Sequence, residues 1–167
     1  MPAGKPFIKH EFDEAIEIQK TIILAGEELA KAHPVAEART ALKELAPIAE
    51  QHLETLQSFG AHFNARGKKE DVVKGMENLM NKVLTKAKEK GKEEESEAYE
   101  AHAVLLSLHR KQQDAAPAVI KIAEELGDKR LATAGRKMKR ELDSSTKQLS
   151  ELLSDFAVRI ATQEDKK

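Results

Sequence analysis

The chain has 167 residues, 40% hydrophobic and 4% aromatic, and 28 Lys and Arg against 29 Asp and Glu give a formal net charge of −1. That length suits one domain with a substantial core, and the apolar share excludes wholesale disorder. The charge balance leaves no electrostatic footprint for nucleic acid. The absence of cysteine excludes disulfides, thiolate metal sites and cysteine nucleophiles.

Between Met1 and Glu17, the charges of Lys5, Lys9, Glu11 and Asp13 interrupt any secretory core. The longest aliphatic run, Ile22-Ile23-Leu24-Ala25, is too short to span a bilayer. A cytoplasmic protein with no membrane contact is the default expectation. Ala, Leu, Glu and Lys dominate, the residues that lose least on entering a helix.

The first predicted helix runs from about Ile8 to Lys31, with Ile8, Phe12, Ala15, Ile22 and Leu29 on one stripe. Pro34 follows and suits the first turn of a second helix. That helix carries Leu42, Leu45, Ala49, His52, Leu56, Phe59 and Phe63 at alternating spacings of three and four, a coiled-coil-like seam. Pro47 falls inside it and predicts a kink there or a helix boundary before it. Asn64 to Lys69 reads as a loop; its basic Arg66-Gly67-Lys68-Lys69 is followed at once by Glu70-Asp71, as in a solvated link.

A short helix is predicted through Val72, Val73, Met76, Leu79, Met80, Val83, Leu84 and Ala87, with Gly91 as its stop. Its apolar residues spread around more than half its circumference, which predicts a face buried against a second copy of the chain. Glu93 to Glu95 suit the first turn of the next helix. The stripe there is Ala98, His102, Leu105, His109 and Gln112, unusually polar for an inward face. Asp114 and Pro117 are expected to interrupt it before a short continuation from Val119 to Leu126. Leu126-Gly127-Asp128 reads as a stop and restart. The last helix then runs from about Lys129 to Ile160 through Leu131, Met138, Leu142, Ser145, Leu149, Leu152 and Phe156.

No period-two runs of β-branched or aromatic residues occur. The expectation is an all-α antiparallel four-helix bundle with an additional short helix, one domain over residues 8–160, with residues 1–7 and 161–167 as flexible tails.

No phosphate loop, nucleophile elbow, zinc-protease helix or calcium loop is present. The constellation that remains is histidine with carboxylate on inward helix faces. His52 sits on an apolar stripe, and His102 and His109, seven residues apart, share one side of their helix. Glu50, Glu54, Glu100 and Glu141 are the candidate carboxylates. Histidine with carboxylate in a bundle core suits iron, manganese or zinc. Against this, a buried neutral histidine is commonly satisfied by a carbonyl or a water. The sequence also has no Glu-x-x-His, the unit on which ferritin-like di-iron sites are built. The candidate metal set is Glu50, Glu54, His109 and Glu141, with His52 and His102 as further ligands. No catalytic residue is assigned, and the cofactor expectation is either none or iron or manganese. His10 and Glu14, one turn apart, read as an exposed pair that could also share a ligand. His33 reads as a helix boundary, His62 as the end of a solvated face and Tyr99 as a packing residue.

Three stretches resemble the YciE/YciF-type ferritin-like proteins, stress-associated bacterial bundles. They are Ala49-Glu50-Gln51-His52-Leu53-Glu54-Thr55-Leu56, the link Gly67-Lys68-Lys69 to Val73-Lys74-Gly75-Met76-Glu77, and Ala123-Glu124-Glu125-Leu126-Gly127 with the long helix after it. The resemblance implies a ferritin-like four-helix bundle with an extra short helix, usually a homodimer, with carboxylates for two metals. Glu50, Glu54 and Glu141 persist under it, while His109 and Gln112 stand where the family places acids. A hemerythrin-like bundle is a weaker match: His109 to Asp114 has its five-residue spacing, and its other paired histidine motifs are missing.

The expected function is a stress-associated ferritin-like bundle with a degenerate or absent di-metal site, acting through assembly or a protein partner. The alternatives are a di-iron or manganese oxidase or peroxide scavenger using core Glu and His, and a purely structural helical adaptor.

Overall fold

The computed structural model describes residues 4–67, 78, 81 and 93–163. Helix α1 spans Lys5–Ala32 and α2 spans Ala36–Gly60, continued by a 3-10 turn over Ala61–Phe63; α3 spans Glu93–Glu125 and α4 spans Lys129–Ala161. No strand occurs among the described residues. Of the short helix expected over Val72–Ala87 only Asn78 and Asn81 are described, both helical; the rest, Met76 and Met80 included, lies outside the described residues. None of the helices is long and apolar enough to cross a membrane, among the described residues.

Local chemistry sets the boundaries. Pro6 stands in the first turn of α1, where its missing N–H costs nothing. The helix therefore starts at Lys5, inside the expected N-terminal tail. It stops at His33, which is extended at φ −62° and ψ 129° because the ring of Pro34 disfavours a helical residue before it. At the far end of α3, Gly127 takes a positive φ of 70°. The N–H groups of Gly127 and Asp128 then bond back to the carbonyls of Glu124 and Ala123, closing the helix. Asp128 starts α4 by accepting the Leu131 N–H at 2.9 Å.

The helix boundary expected at Pro47 and the interruption expected at Asp114 and Pro117 do not occur. Helix α2 runs on through Pro47, and α3 runs on through Asp114 and Pro117. Both prolines are exposed. Each removes one backbone bond, but on the wet side the freed carbonyl meets solvent while the opposite face stays packed.

Helices α1 and α2 form one hairpin and α3 and α4 another; the hairpins pack α1 on α3 and α2 on α4. Contacts between α1 and α3 run in opposite chain directions: Ala15 meets Gln112, and His33 meets His102. Every neighbouring pair is thus antiparallel, while α2 and α3 lie diagonally and run the same way. Helix α2 ends at the opposite end of the bundle from the start of α3, a topology with one long crossover. Near the end of α2 the chain is tied to α1, since buried Asp13 accepts the N–H groups of Arg66 and Gly67 at 2.8 and 3.0 Å. Gly67 has a φ of +74°, and a Cβ there would sit 2.6 Å from the Ile16 side chain.

The apolar core falls into two clusters. One gathers Ile18, Ile22, Leu29, Leu42, Leu105 and Leu149, and the other gathers Phe12, Ile16, Leu56, Leu131 and Met138. Between them lies a band of buried polar residues: Gln19, His52, His109, Gln112, Ser145 and Thr146. The stripe that looked unusually polar in the sequence does face inward.

Candidate functional site

All four helices contribute to the polar band. Gln112 of α3 donates to the Ala15 carbonyl at 2.9 Å and to Gln19 Oε1 at 3.1 Å. Gln19 passes the bond on, donating to the Ala49 carbonyl of α2 at 2.9 Å. Two amides thus tie three helices together with strong neutral donors buried and paired.

The other half of the band is less complete. Ser145 of α4 donates to the Leu142 carbonyl at 3.2 Å, so its remaining lone pairs face His109 Nδ1, 3.4 Å away. That contact requires the His109 proton on Nδ1. His52 is buried on α2, and its Nε2 has no hydrogen-bond partner in the protein. The nearest acid is Glu141 Oε2 at 3.8 Å, beyond bonding range, and Glu141 itself is half-buried with Lys137 beside it. Burial holds the His52 imidazole below its ordinary value, against the opposing pull of Glu141. Burial also pushes His109 down to about 4, helped by His52. A shallow pocket between α1 and α2 reaches His109 past Ile23, Leu42, Leu45 and Ala49, and Glu27 is the one carboxylate in its lining.

A second polar feature closes the end of the bundle where α1 stops. The Val35 N–H donates to His33 Nδ1 at 3.1 Å, so a neutral His33 carries its proton on Nε2. His33 Nε2 lies 3.1 Å from His102 Nδ1, and His102 Nε2 lies 2.8 Å from the Leu149 carbonyl, which can only accept. Both rings are therefore Nε2–H tautomers with both nitrogens committed, and His102 has none left for a metal. Burial first, then the neighbouring charges of His102, Arg39 and Arg159, push His33 down to about 4. Burial also lowers His102, with the Leu149 bond opposing.

The candidate metal ligands separate. Glu50 and Glu54 are exposed on α2, as is Glu100 on α3, while His109 and His52 are buried and Glu141 lies between. The inward positions at this level are Ala49 and His52, so Glu50 and Glu54 flank the core stripe without entering it. Among the described residues, His10, Glu11 and Glu14 form the group of three whose ligand atoms lie within 4.8 Å of one another. They sit part-buried on α1, and Lys111 already pairs with Glu14. Sequence reasoning missed two residues that matter, Gln19 and His33. Gln19 stands four residues after Ala15 and three before Ile22, in phase with the stripe traced along α1, so helical spacing was the signal that could have found it. His33 read as a boundary, and only its partner across the bundle makes it a core residue.

Comparison of the chain with family models, with curated proteins and with solved structures returns no match.

Proposed function

We propose that the chain is a ferritin-like bundle, cytoplasmic and stress-associated, whose di-metal donors have been replaced and which acts through assembly or protein interaction. One observation carries the reading: at each helix of the polar band an uncharged residue stands at the carboxylate position, and only α2 keeps the histidine. Ferritin-like di-metal centres draw a single Glu from each of two helices and a Glu-x-x-His from each of the other two. At this level α1 offers Gln19, α3 offers Gln112, α2 offers Ala49-x-x-His52 and α4 offers Leu142-x-x-Ser145. Amides keep the shape of the carboxylates and lose the charge that would offset two cations. The residues present do not fit a two-metal centre. The single long crossover supports the ferritin-like reading, and the wide apolar spread of the sequence from Val72 to Leu84 supports a homodimer.

One feature favours the rival oxidase or peroxide-scavenging reading: the unpartnered His52 Nε2 facing Glu141 beside His109. Metal analysis of the purified chain, with visible spectra after ferrous iron and oxygen, separates the two. The expected result is no stoichiometric iron or manganese and no oxo-bridge absorption. Two metals per chain, lost in His52→Leu, would overturn the proposal. Light scattering at micromolar concentration is expected to give a dimer mass; a monomer removes the assembly part.

A further inference from the structure

The His33–His102 chain leaves no nitrogen lone pair free. An added proton can enter at His33 Nδ1, where the Val35 N–H already points, or at His102 Nδ1, where the His33 N–H points. Either entry sets two N–H groups face to face, and that link breaks.

The surrounding charges do not compensate. From α2, the Arg39 guanidinium donates to the His33 carbonyl at 2.6 Å. From α4, Arg159 adds positive potential at His33, and it is itself held by Glu95 of α3 at 2.8 Å. The ring of Phe156 packs on His33 at 4.9 Å between centroids, and Tyr99 of α3 packs behind Phe156. The pair thus joins the turn between α1 and α2 to both helices of the other hairpin in a largely apolar, cation-flanked setting.

We propose that His33 and His102 form an acid-released clasp between the two helical hairpins: neutral rings close this end of the bundle, and uptake of one proton opens it. The direction of proton affinity agrees. His33 is held down to about 4 when closed, against an ordinary 6.5 when open. Between those values a one-proton opening gains up to about tenfold in population per unit fall in pH.

The test uses the full chain. Nitrogen NMR at neutral pH is expected to report both rings as Nε2–H tautomers; an Nδ1–H form of either would overturn the clasp. Backbone hydrogen exchange, corrected for intrinsic rates, is then followed from pH 7 to 5. The Val35 amide and the last turn of α1 are expected to lose protection by more than tenfold, while the middle of α4 around Leu142 keeps its own. Unchanged protection, or equal loss along every helix, sinks the proposal. In His33→Phe the ring that accepts the Val35 N–H and takes the proton is gone, and the readout is the slope of exchange against pH rather than its level. The slope at Val35 is expected to flatten; a slope equal to that of the parent would mean another group takes the proton.

Discussion

The two buried histidine sites of this bundle sit on the same helical stripe of α3, yet they resolve the same physical problem differently. At the end of the bundle, His102 and His33 spend every ring nitrogen on a defined partner, and the chain of bonds runs across three helices. In the middle, His52 keeps a buried Nε2 without a partner, and His109 holds Ser145 only at 3.4 Å. A buried polar group contributes little when paired and costs much when not. The end site therefore favours the packed fold, whereas the middle site carries an unmet bond at His52 Nε2.

His102→Ala should have the largest effect. It orphans the His33 N–H and the Leu149 carbonyl and opens a cavity, and we expect a loss of roughly 3–5 kcal/mol in urea denaturation at neutral pH. A loss below about 1 kcal/mol would show that the end site is no better satisfied than the middle one.

Acidification comes next. Burial holds His33 and His109 down to about 4, so the folded chain binds fewer protons than the unfolded chain below 6.5. Stability from these rings is complete above that value and declines as pH falls toward 4. Between pH 7.5 and 5.5 the two together should cost roughly 2–3 kcal/mol. A denaturation midpoint that does not move over this interval would contradict the neutral assignment of both rings.

The smallest effect, and the sharpest contrast, is expected from His52→Leu. Replacing an unpartnered buried ring by an aliphatic side chain should be neutral or stabilising by up to about 1 kcal/mol. A clear destabilisation, read in the same urea titration, would mean that Nε2 is engaged in solution, with Glu141 as the nearest group to engage it.

Much of the architecture was legible in the sequence. The three-four stripes through Leu42 to Leu56, Ala98 to Gln112 and Leu131 to Phe156 carry core residues, because helical periodicity is local and each apolar position must find cover. The Gly127-Asp128 restart was legible for the same reason, as capping depends on neighbours in the chain. The boundary expected at Pro47 and the interruption expected at Pro117 are absent, because whether a proline ends a helix depends on which side of the bundle it meets.

The candidate site was legible only in part. His52, His102 and His109 declared themselves by position on a stripe. Glu50 and Glu54 each lie two residues from His52, about 200° around the helix, and turn outward, so the spacing was a local signal against them as core ligands. Sequence by itself determined which faces are apolar, where α3 ends and α4 starts, and that the stripe of α3 is polar. Tertiary structure decided that Gln19 meets Gln112, that His33 meets His102 and that His52 Nε2 meets no hydrogen-bond partner. Those outcomes join residues 30 to 97 positions apart, set by how two hairpins dock, and a hydrogen bond needs its partner within a few tenths of an ångström.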